Sequence, residues 1–534
     1  MKKIQILDCT LRDGGYLLDA KFGDRIIKGI IKKLAEARVD VIECGYLKDI
    51  PHQKDTCIFS DVNEVIPYLP ENRGISSYVL FADYSRYKAV NLKPYDGKSI
   101  DGLRECFMKH ERKDAMRIVK IMKEAGYKVY VQPVDLMYYN DYELLELISW
   151  VNEIEPYAFS MVDTFGSMYV DDIQRIFPLV NHNLSPKIKM GFHSHNNLQL
   201  SSAIAQEFVR LSSTCARKVV IDGTICGMGR GAGNTCTELI AEFLNKKYAA
   251  DYDMDVLLDL IDIYMPEIRQ KCSWGYSIPF LIAGMYNAHV HNISYLLDKY
   301  NLNTKNMRQI IEKVDPITRK KYDYENLKKI YIEHVSKSID DTNAMDIIRR
   351  TLLGKNILLV APGKNGEMQK EKIDLYQKVH HALVISINFI PSFINPDIVY
   401  FSNYRRLEEA KENGKEFYSI RKILTSNVNY NDENTLEINY NDYIKQGWFY
   451  FDNATIMLLR LLVKIGIREV AIAGFDGYVF NSNNYSISTL ELKRNEDTIN
   501  LINSDAKEML ADIKSHSNIK INFITDSLYE EKAN

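Results

Sequence analysis

Two separated segments of this chain hold the residue types of a metal-assisted reaction. The first is Asp8-Cys9-Thr10-Leu11-Arg12-Asp13-Gly14-Gly15, and the second is His193-Ser194-His195-Asn196-Asn197. Carboxylate plus two imidazoles is an oxygen/nitrogen ligand set for a divalent cation. An adjacent arginine, Arg12, is what a site needs where negative charge develops on a substrate oxygen. Residues 187–195 read as a strand running into a loop. Residues i and i+2 of a strand share a face, so His193 and His195 point the same way, as two ligands of one metal must. An H-x-H pair alone is more often a surface pair or a support for other groups. A carboxylate at the end of another strand shifts the balance toward a metal.

The chain must bring these segments together, and its alternating pattern supplies the means. Candidate strands lie at 4–7, 39–44, 77–82, 102–107, 128–133, 158–162, 187–192 and 219–222, with amphipathic stretches at 25–37, 113–125, 142–154 and 198–211. Strand–helix alternation implies a parallel sheet. Eight such units in roughly 240 residues fit a (β/α)₈ TIM barrel, of typical size ~250 residues. Active sites of that fold sit at the C-terminal ends of the strands. Asp8, Arg12, Asp13, Glu43, Asp83, Arg104, Gln132, Asp163, His193, His195, Asp222 and Thr224 all fall in or just after strands, so one mouth collects the polar set. Each alone is also readable as a cap or loop residue.

Beyond residue 245 the alternation stops. Helical patterns at 253–264, 286–298, 307–317, 324–335 and 342–353 suggest a helical extension over 246–350, whose His289, His291 and His334 read as structural. A second α/β pattern begins at Asn356. Apolar runs at 357–361, 382–387, 398–401, 469–473 and 519–524 predict a Rossmann-like open parallel sheet over 354–534. The stretches 427–441 and 481–495 read as loops or insertions.

Length and composition set outer bounds. At 534 residues the chain exceeds one ordinary domain. A net charge of −3 gives no electrostatic reason to expect nucleic acid or an anionic membrane as partner. No apolar run approaches the ~20 residues of a membrane span, and the basic start Met1-Lys2-Lys3 leads into Asp8, Arg12 and Asp13 rather than a signal-peptide core. A cytoplasmic homo-oligomer is expected. The eight cysteines lack C-x-x-C spacing and are expected to be reduced.

The two opening segments, together with Val41-Ile-Glu-Cys-Gly-Tyr46, Val162-Asp-Thr-Phe-Gly166 and Asp222-Gly-Thr-Ile-Cys-Gly-Met-Gly-Arg-Gly-Ala-Gly-Asn234, resemble the metal-dependent aldolase/lyase barrels that include 4-hydroxy-2-oxovalerate aldolase, hydroxymethylglutaryl-CoA lyase and isopropylmalate synthase. The resemblance covers roughly residues 1–245, with the 4-hydroxy-2-oxo-acid aldolase branch nearest. It implies Asp13, His193 and His195 as metal ligands, with Asn234 in or beside the coordination sphere. Mn²⁺ is the first expectation, and Co²⁺, Mg²⁺ or Zn²⁺ are alternatives. It implies a 2-oxo acid substrate, with Arg12 facing the oxygen that becomes an enolate. Gln132, Arg104 and Thr224 are expected to contact substrate. The family's basic histidine after the Arg-Asp-Gly motif is replaced here, with Gly15-Tyr16 at the corresponding place. Tyrosine is a poor base near neutral pH, so Tyr16 is expected to donate a hydrogen bond, and Asp163 or Glu43 to take the proton or to support the metal and Arg12. The glycine-rich segment 223–234 lacks the Walker A ending and reads as close backbone approach or a tight turn.

Leu358-Leu-Val-Ala-Pro-Gly-Lys364, Ile385-Ser-Ile-Asn388 and Val470-Ala-Ile-Ala-Gly-Phe-Asp-Gly477 resemble Rossmann-like domains related to sialyltransferases and to pterin-kinase-like motility accessory proteins. A nucleotide phosphate is expected on Gly363, Lys364 and Asn365 at the next helix start. The leading expectation is therefore a carbon–carbon lyase or synthase. The alternatives are an acyl-CoA condensing enzyme, a bifunctional protein whose second domain takes a nucleotide or nucleotide-sugar in surface-polysaccharide assembly, and a barrel kept as a binding scaffold.

Overall fold

The computed structural model describes residues 3–300, 302, 304–321, 323–335, 338–412, 415–487, 490 and 494–530. Parts of the expected 481–495 loop and of the basic N-terminal start lie outside them. The chain forms two compact units, 1–294 with 315–322, and 295–314 with 323–534. The helical stretch 246–350 is thus shared between the units rather than standing alone.

The first unit is a closed parallel barrel. Its strands are β1 (Ile4–Asp8), β2 (Val41–Leu47), β3 (Ser77–Asp83), β4 (Gly102–Phe107), β5 (Lys128–Pro133), β6 (Ala158–Asp163), β7 (Lys189–Ser194) and β8 (Val219–Gly223). Closure comes from β1, which pairs with β8 (Ile4 opposite Val219 through Asp8 opposite Gly223) and with β2 (Leu7 opposite Val41). β2 shows why these strands read as continuous apolar runs: all seven residues are buried, as in a sheet covered on both faces.

Helices α1 (Asp24–Glu36), α2 (Arg112–Glu124), α3 (Asp141–Ile154), α4 (Val170–Asn183), α5 (Ser201–Ser213) and α6 (Thr237–Tyr248) wrap the barrel. α1 buries Ile26, Ile27, Ile30, Ile31 and Leu34, the i, i+3, i+4 stripe of an amphipathic helix. Each such side chain contributes ~1.5–3 kcal/mol by leaving water. α3 starts on a reciprocal cap, with Asn140 accepting from the Glu143 N–H and Glu143 from that of Asn140. The alternation is incomplete: a 3-10 turn at Val62–Tyr68 stands in for a helix between β2 and β3. The helix Met254–Lys271 runs seven residues past its expected end at 264, through Pro266. All eight cysteines are free thiols. Among the described residues no helix is long and apolar enough to cross a membrane.

The second unit carries a seven-stranded, all-parallel sheet of β9 (Ile357–Val360), β10 (Leu383–Ile387), β11 (Ile398–Phe401), β12 (Arg421–Thr425), β13 (Thr435–Ile438), β14 (Glu469–Ala473) and β15 (Lys520–Phe523), in the order β13-β12-β11-β10-β9-β14-β15. The order reverses between β9 and β14, which is a topological switch point. β13 lies inside the stretch 427–441 that reads as a loop. It is a four-residue edge strand, and only its last residue is buried, so no alternation marks it.

Candidate functional site

The polar residues at the barrel mouth form a closed circuit of buried charge. Arg12, on the one-turn helix Thr10–Asp13 after β1, places Nη1 2.8 Å from Asp13 Oδ2 and Nε 2.8 Å from Glu43 Oε2. Glu43 Oε1 lies 3.0 Å from Arg104 Nη1, and Arg104 Nη2 donates to Asp222. Asp222 Oδ2 is 3.1 Å from His193 Nδ1, and His193 Nε2 returns to Asp13 Oδ2 at 3.4 Å. Three carboxylates face two guanidiniums and the His193 imidazole; burial pulls the His193 pKa down, but hydrogen bonds to Asp13 and Asp222 raise it overall. Burial pushes the Asp13 carboxyl up, but Arg12, His195 and His193 hold it well below the ordinary carboxylate range. For Asp222, burial is likewise outweighed, by Arg104 and His193, and the pKa is lowered.

This circuit fits a divalent cation. Asp13 Oδ1 and Asn234 Oδ1 are buried without a hydrogen-bond partner, an expensive state unless something else satisfies them. His195 Nε2 stands 3.8 Å from Asp13 Oδ2, and the two histidine rings are 5.2 Å apart. Burial lowers the His195 pKa to about 3, so the ring is neutral, as a ligand requires. His193 donates Nδ1–H to Asp222, which orients the ring and directs Nε2 to the Asp13 side. Cys9, Asp13 and His193 also bring donor atoms within 4.8 Å of one another. The Cys9 thiol, however, donates to the Gly223 carbonyl at 3.4 Å. Gly229 keeps the space open: a Cβ there would lie 2.1 Å from Asn234 Nδ2 and 3.3 Å from Asp13 Oδ1.

The other expected site residues separate by geometry. Arg104 is fully buried between Glu43 and Asp222 and braces the circuit, while its Nε has no hydrogen-bond partner. Glu43 sits between two guanidiniums and is in the same position. Asp163 accepts from the N–H groups of Ser167 and Met168 and from Ser194 Oγ, so it fixes the loop after β6; burial raises its pKa to about 6. Neither carboxylate is placed as an open base. Gln132 Nε2 donates to Ser160 Oγ at 2.6 Å. Thr224 is wholly buried, and its hydroxyl lacks a hydrogen-bond partner. Tyr16 stands at the rim with 37% of its surface exposed. Its pKa is raised, first by withdrawal of the hydroxyl from water, which suits a donor rather than a base.

Three residues of the mouth were not singled out as site residues from sequence. Asp222 orients His193. Arg230, in the glycine-rich loop, lies over the Tyr16 ring at 4.8 Å and places Nη1 3.4 Å from His289 Nε2. His289, read from sequence as structural, lines a cavity of about 10 Å³ with Thr164, Phe165, His195, Asn197 and Arg230. Asp222 was legible as a strand-end residue. His289 carried no signal, because it reaches the mouth from outside the β/α repeat.

In the second unit the amides expected to take a phosphate already have partners within the protein. The N–H groups of Gly363, Lys364 and Asn365 donate to Gly474 O (2.8 Å), Asn484 O (3.2 Å) and Asp476 Oδ2 (2.8 Å). Lys364 Nζ is bonded to Ser482 Oγ. The following helix, Lys364–Met368, is only five residues long. The open space lies beside this turn, in a cavity of about 760 Å³. It is lined by residues following β9, β10, β11 and β14, including Gly363, Asn388, Asn403 and Asp476, and by Tyr485 and Arg494.

The chain is 26% identical over 263 residues to oxaloacetate decarboxylase of Mycobacterium tuberculosis, covering 48% of this chain and 74% of that one. It is 24% identical over 327 residues to 4-hydroxy-2-oxovalerate aldolase of Carboxydothermus hydrogenoformans, covering 57% and 90%. Superposition on the HMG-CoA lyase of Brucella melitensis gives a TM-score of 0.40 at 16% identity, over 51% of this chain and all of that one. Residues 103–264 match the HMGL-like family model. Over its barrel this chain is thus similar to an HMGL-like family model and to relatives named as a 2-oxo-acid decarboxylase and an aldolase.

Proposed function

We propose that the barrel cleaves, or in reverse forms, the C3–C4 bond of a 4-hydroxy-2-oxo acid, with a divalent cation, Mn²⁺ foremost, held by Asp13, His193, His195 and Asn234. The single observation that carries this reading is the pair of unpartnered buried oxygens, Asp13 Oδ1 and Asn234 Oδ1, beside the imidazoles of His193 and His195. Bound there, the cation would supply Lewis-acid polarisation of the 2-oxo acid's oxygens. As the C3–C4 bond breaks, its electron pair moves toward the C2 carbonyl oxygen, the 4-hydroxyl gives its proton to solvent water as the aldehyde forms, and C3 takes a proton from water as the smaller 2-oxo acid is completed. Arg12 is fixed by Asp13, by Glu43 and by the Phe81 ring 4.4 Å away. Its preorganised guanidinium stabilises the growing charge on that oxygen without reorganising. Tyr16 donates a hydrogen bond at the rim.

Purified protein should hold about one divalent cation per chain, lost from a His193→Ala/His195→Ala double variant. Elemental analysis of the two side by side checks this, and equal occupancy would reject the site.

For the second unit we propose a nucleotide or nucleotide-sugar ligand, as surface-polysaccharide assembly would require. What supports this is the location of the 760 Å³ cavity at the strand ends beside the switch point, with the Arg494 guanidinium 5.2 Å above the Tyr478 ring in its wall. Calorimetric titration of the full chain with CMP, UDP and their sugar conjugates should show binding tighter than millimolar that Arg494→Gln weakens. No heat of binding across that panel would remove the idea.

A further inference from the structure

Glu43 and Tyr46 both reach Arg12, although they stand three residues apart on β2. In an uninterrupted strand, residues three apart face opposite sides. β2 is interrupted: from Glu43 to Tyr46 it advances three residues while its neighbour β3 advances two, from Val79 to Phe81. The extra residue is a bulge, a device that re-aims side chains beside active sites. Gly45 permits it. Gly45 adopts φ of +143°, and a Cβ there would lie 2.1 Å from the Cys57 carbonyl oxygen. The bulge lets Tyr46 follow Glu43 toward Arg12 and sets it opposite Phe81.

Tyr46 then holds Arg12 from two directions. Its hydroxyl donates to the Arg12 carbonyl. Arg12 lies on a helix of four residues, too short to supply its own carbonyls with helical donors. The preceding carbonyl, of Leu11, takes the Cys57 thiol at 3.1 Å. The Tyr46 ring meets the Phe81 ring edge to face, with 6.2 Å between centroids and 88° between planes. Phe81 in turn carries the Arg12 guanidinium 4.4 Å from its centroid. The Tyr46 ring is itself hemmed in. Lys48 Nζ stands 4.1 Å from its centroid, the Tyr16 ring lies edge to face at 5.7 Å, and a Cβ on Gly15 would come 3.3 Å from its Cε2. A buried side chain so fixed can hold both the backbone of Arg12 and the aromatic face beneath its guanidinium.

We propose that Tyr46 is a positioning residue for the carbon–carbon bond reaction: it presents Arg12 ready-oriented, and its whole effect on the rate passes through that guanidinium. This rests on the aldol reading above and on the place of Arg12 in it. It also gives the bulge at Gly45 a function, since a regular β2 would carry the hydroxyl away from Arg12.

The test is proton exchange at C3 of pyruvate, followed by NMR in the Mn²⁺-loaded full chain, for the wild type, Tyr46→Phe, Arg12→Lys and the double variant. Tyr46→Phe keeps the ring and removes only the hydroxyl. It should lower kcat on the order of 10-fold, the scale of one neutral hydrogen bond, while KM for pyruvate and metal content hold. In Arg12→Lys there is no guanidinium left to orient, so adding Tyr46→Phe should lower the rate by less than about 2-fold. A merely structural loss would lower both backgrounds by the same factor. That result overturns the proposal, as does a Tyr46→Phe protein with the wild-type kcat or one altered only in KM. Two controls separate the proposal from the reading it rests on. No exchange by the wild type removes the aldol reading, and the role of Tyr46 with it. Undiminished exchange by Arg12→Lys removes Arg12 from the chemistry, and any positioning of it. Exchange by the wild type, a deficit in Arg12→Lys and equal factors in the two backgrounds together remove only the role of Tyr46.

Discussion

Replacing Arg12 by lysine is expected to lower the rate of pyruvate C3 proton exchange by on the order of 10²–10³ while leaving metal content near one per chain. Arg12 works through its shape as much as its charge. Nη1 reaches Asp13 and Nε reaches Glu43, both at 2.8 Å, while the plane lies 4.4 Å from the Phe81 centroid. A lysine ammonium is one point on a flexible stem and cannot bridge both carboxylates while presenting a planar face. Exchange measured by NMR needs no knowledge of the aldehyde, so the result does not depend on the natural substrate. Undiminished exchange in a folded, metal-replete Arg12→Lys protein would remove Arg12 from the chemistry.

Replacing Arg104 by methionine is expected to destabilise the protein by about 3–5 kcal/mol, the cost of leaving buried charges uncompensated. Arg104 has no exposed surface, and both Glu43 and Asp222 depend on its charge. The hydrophobic replacement fills similar space, so the loss is electrostatic rather than a cavity. Combining Arg104→Met with Glu43→Gln and Asp222→Asn should return much of that stability, because the partners no longer carry charge. Chemical denaturation of the three proteins decides the matter. A single variant as stable as the wild type, or a triple variant no better than the single, contradicts the circuit as drawn. The triple variant should also hold its metal more weakly, by 10- to 100-fold, since Asp222 no longer orients His193 as an anion.

Much of this protein was written in its sequence, for local physical reasons. The barrel strands are short, apolar on both faces and regularly spaced, so their alternation with amphipathic helices reads directly as a parallel barrel. The ligand-type residues fall at strand ends, and the period of two along β7 places His193 and His195 on one side without any tertiary information. The sheet of the second unit was legible in five of its seven strands and lost in the adjacent β12 and β13: β12 opens on Arg421-Lys422, which leaves too short an apolar run, and β13 has one neighbour and partial exposure. What only the tertiary structure decided was which polar groups are already spent. Sequence cannot tell which carboxylates an arginine will face, and it did not show Arg104 buried between Glu43 and Asp222. Nor can it tell a glycine-rich turn with free amides from one whose amides are bonded across the sheet, as at Gly363, Lys364 and Asn365. Burial and long-range pairing fix those outcomes. His289 reaches the mouth 94 residues after His195, and Asp222 meets Arg104 across 118 residues of chain. No local pattern encodes a contact made only when the barrel closes.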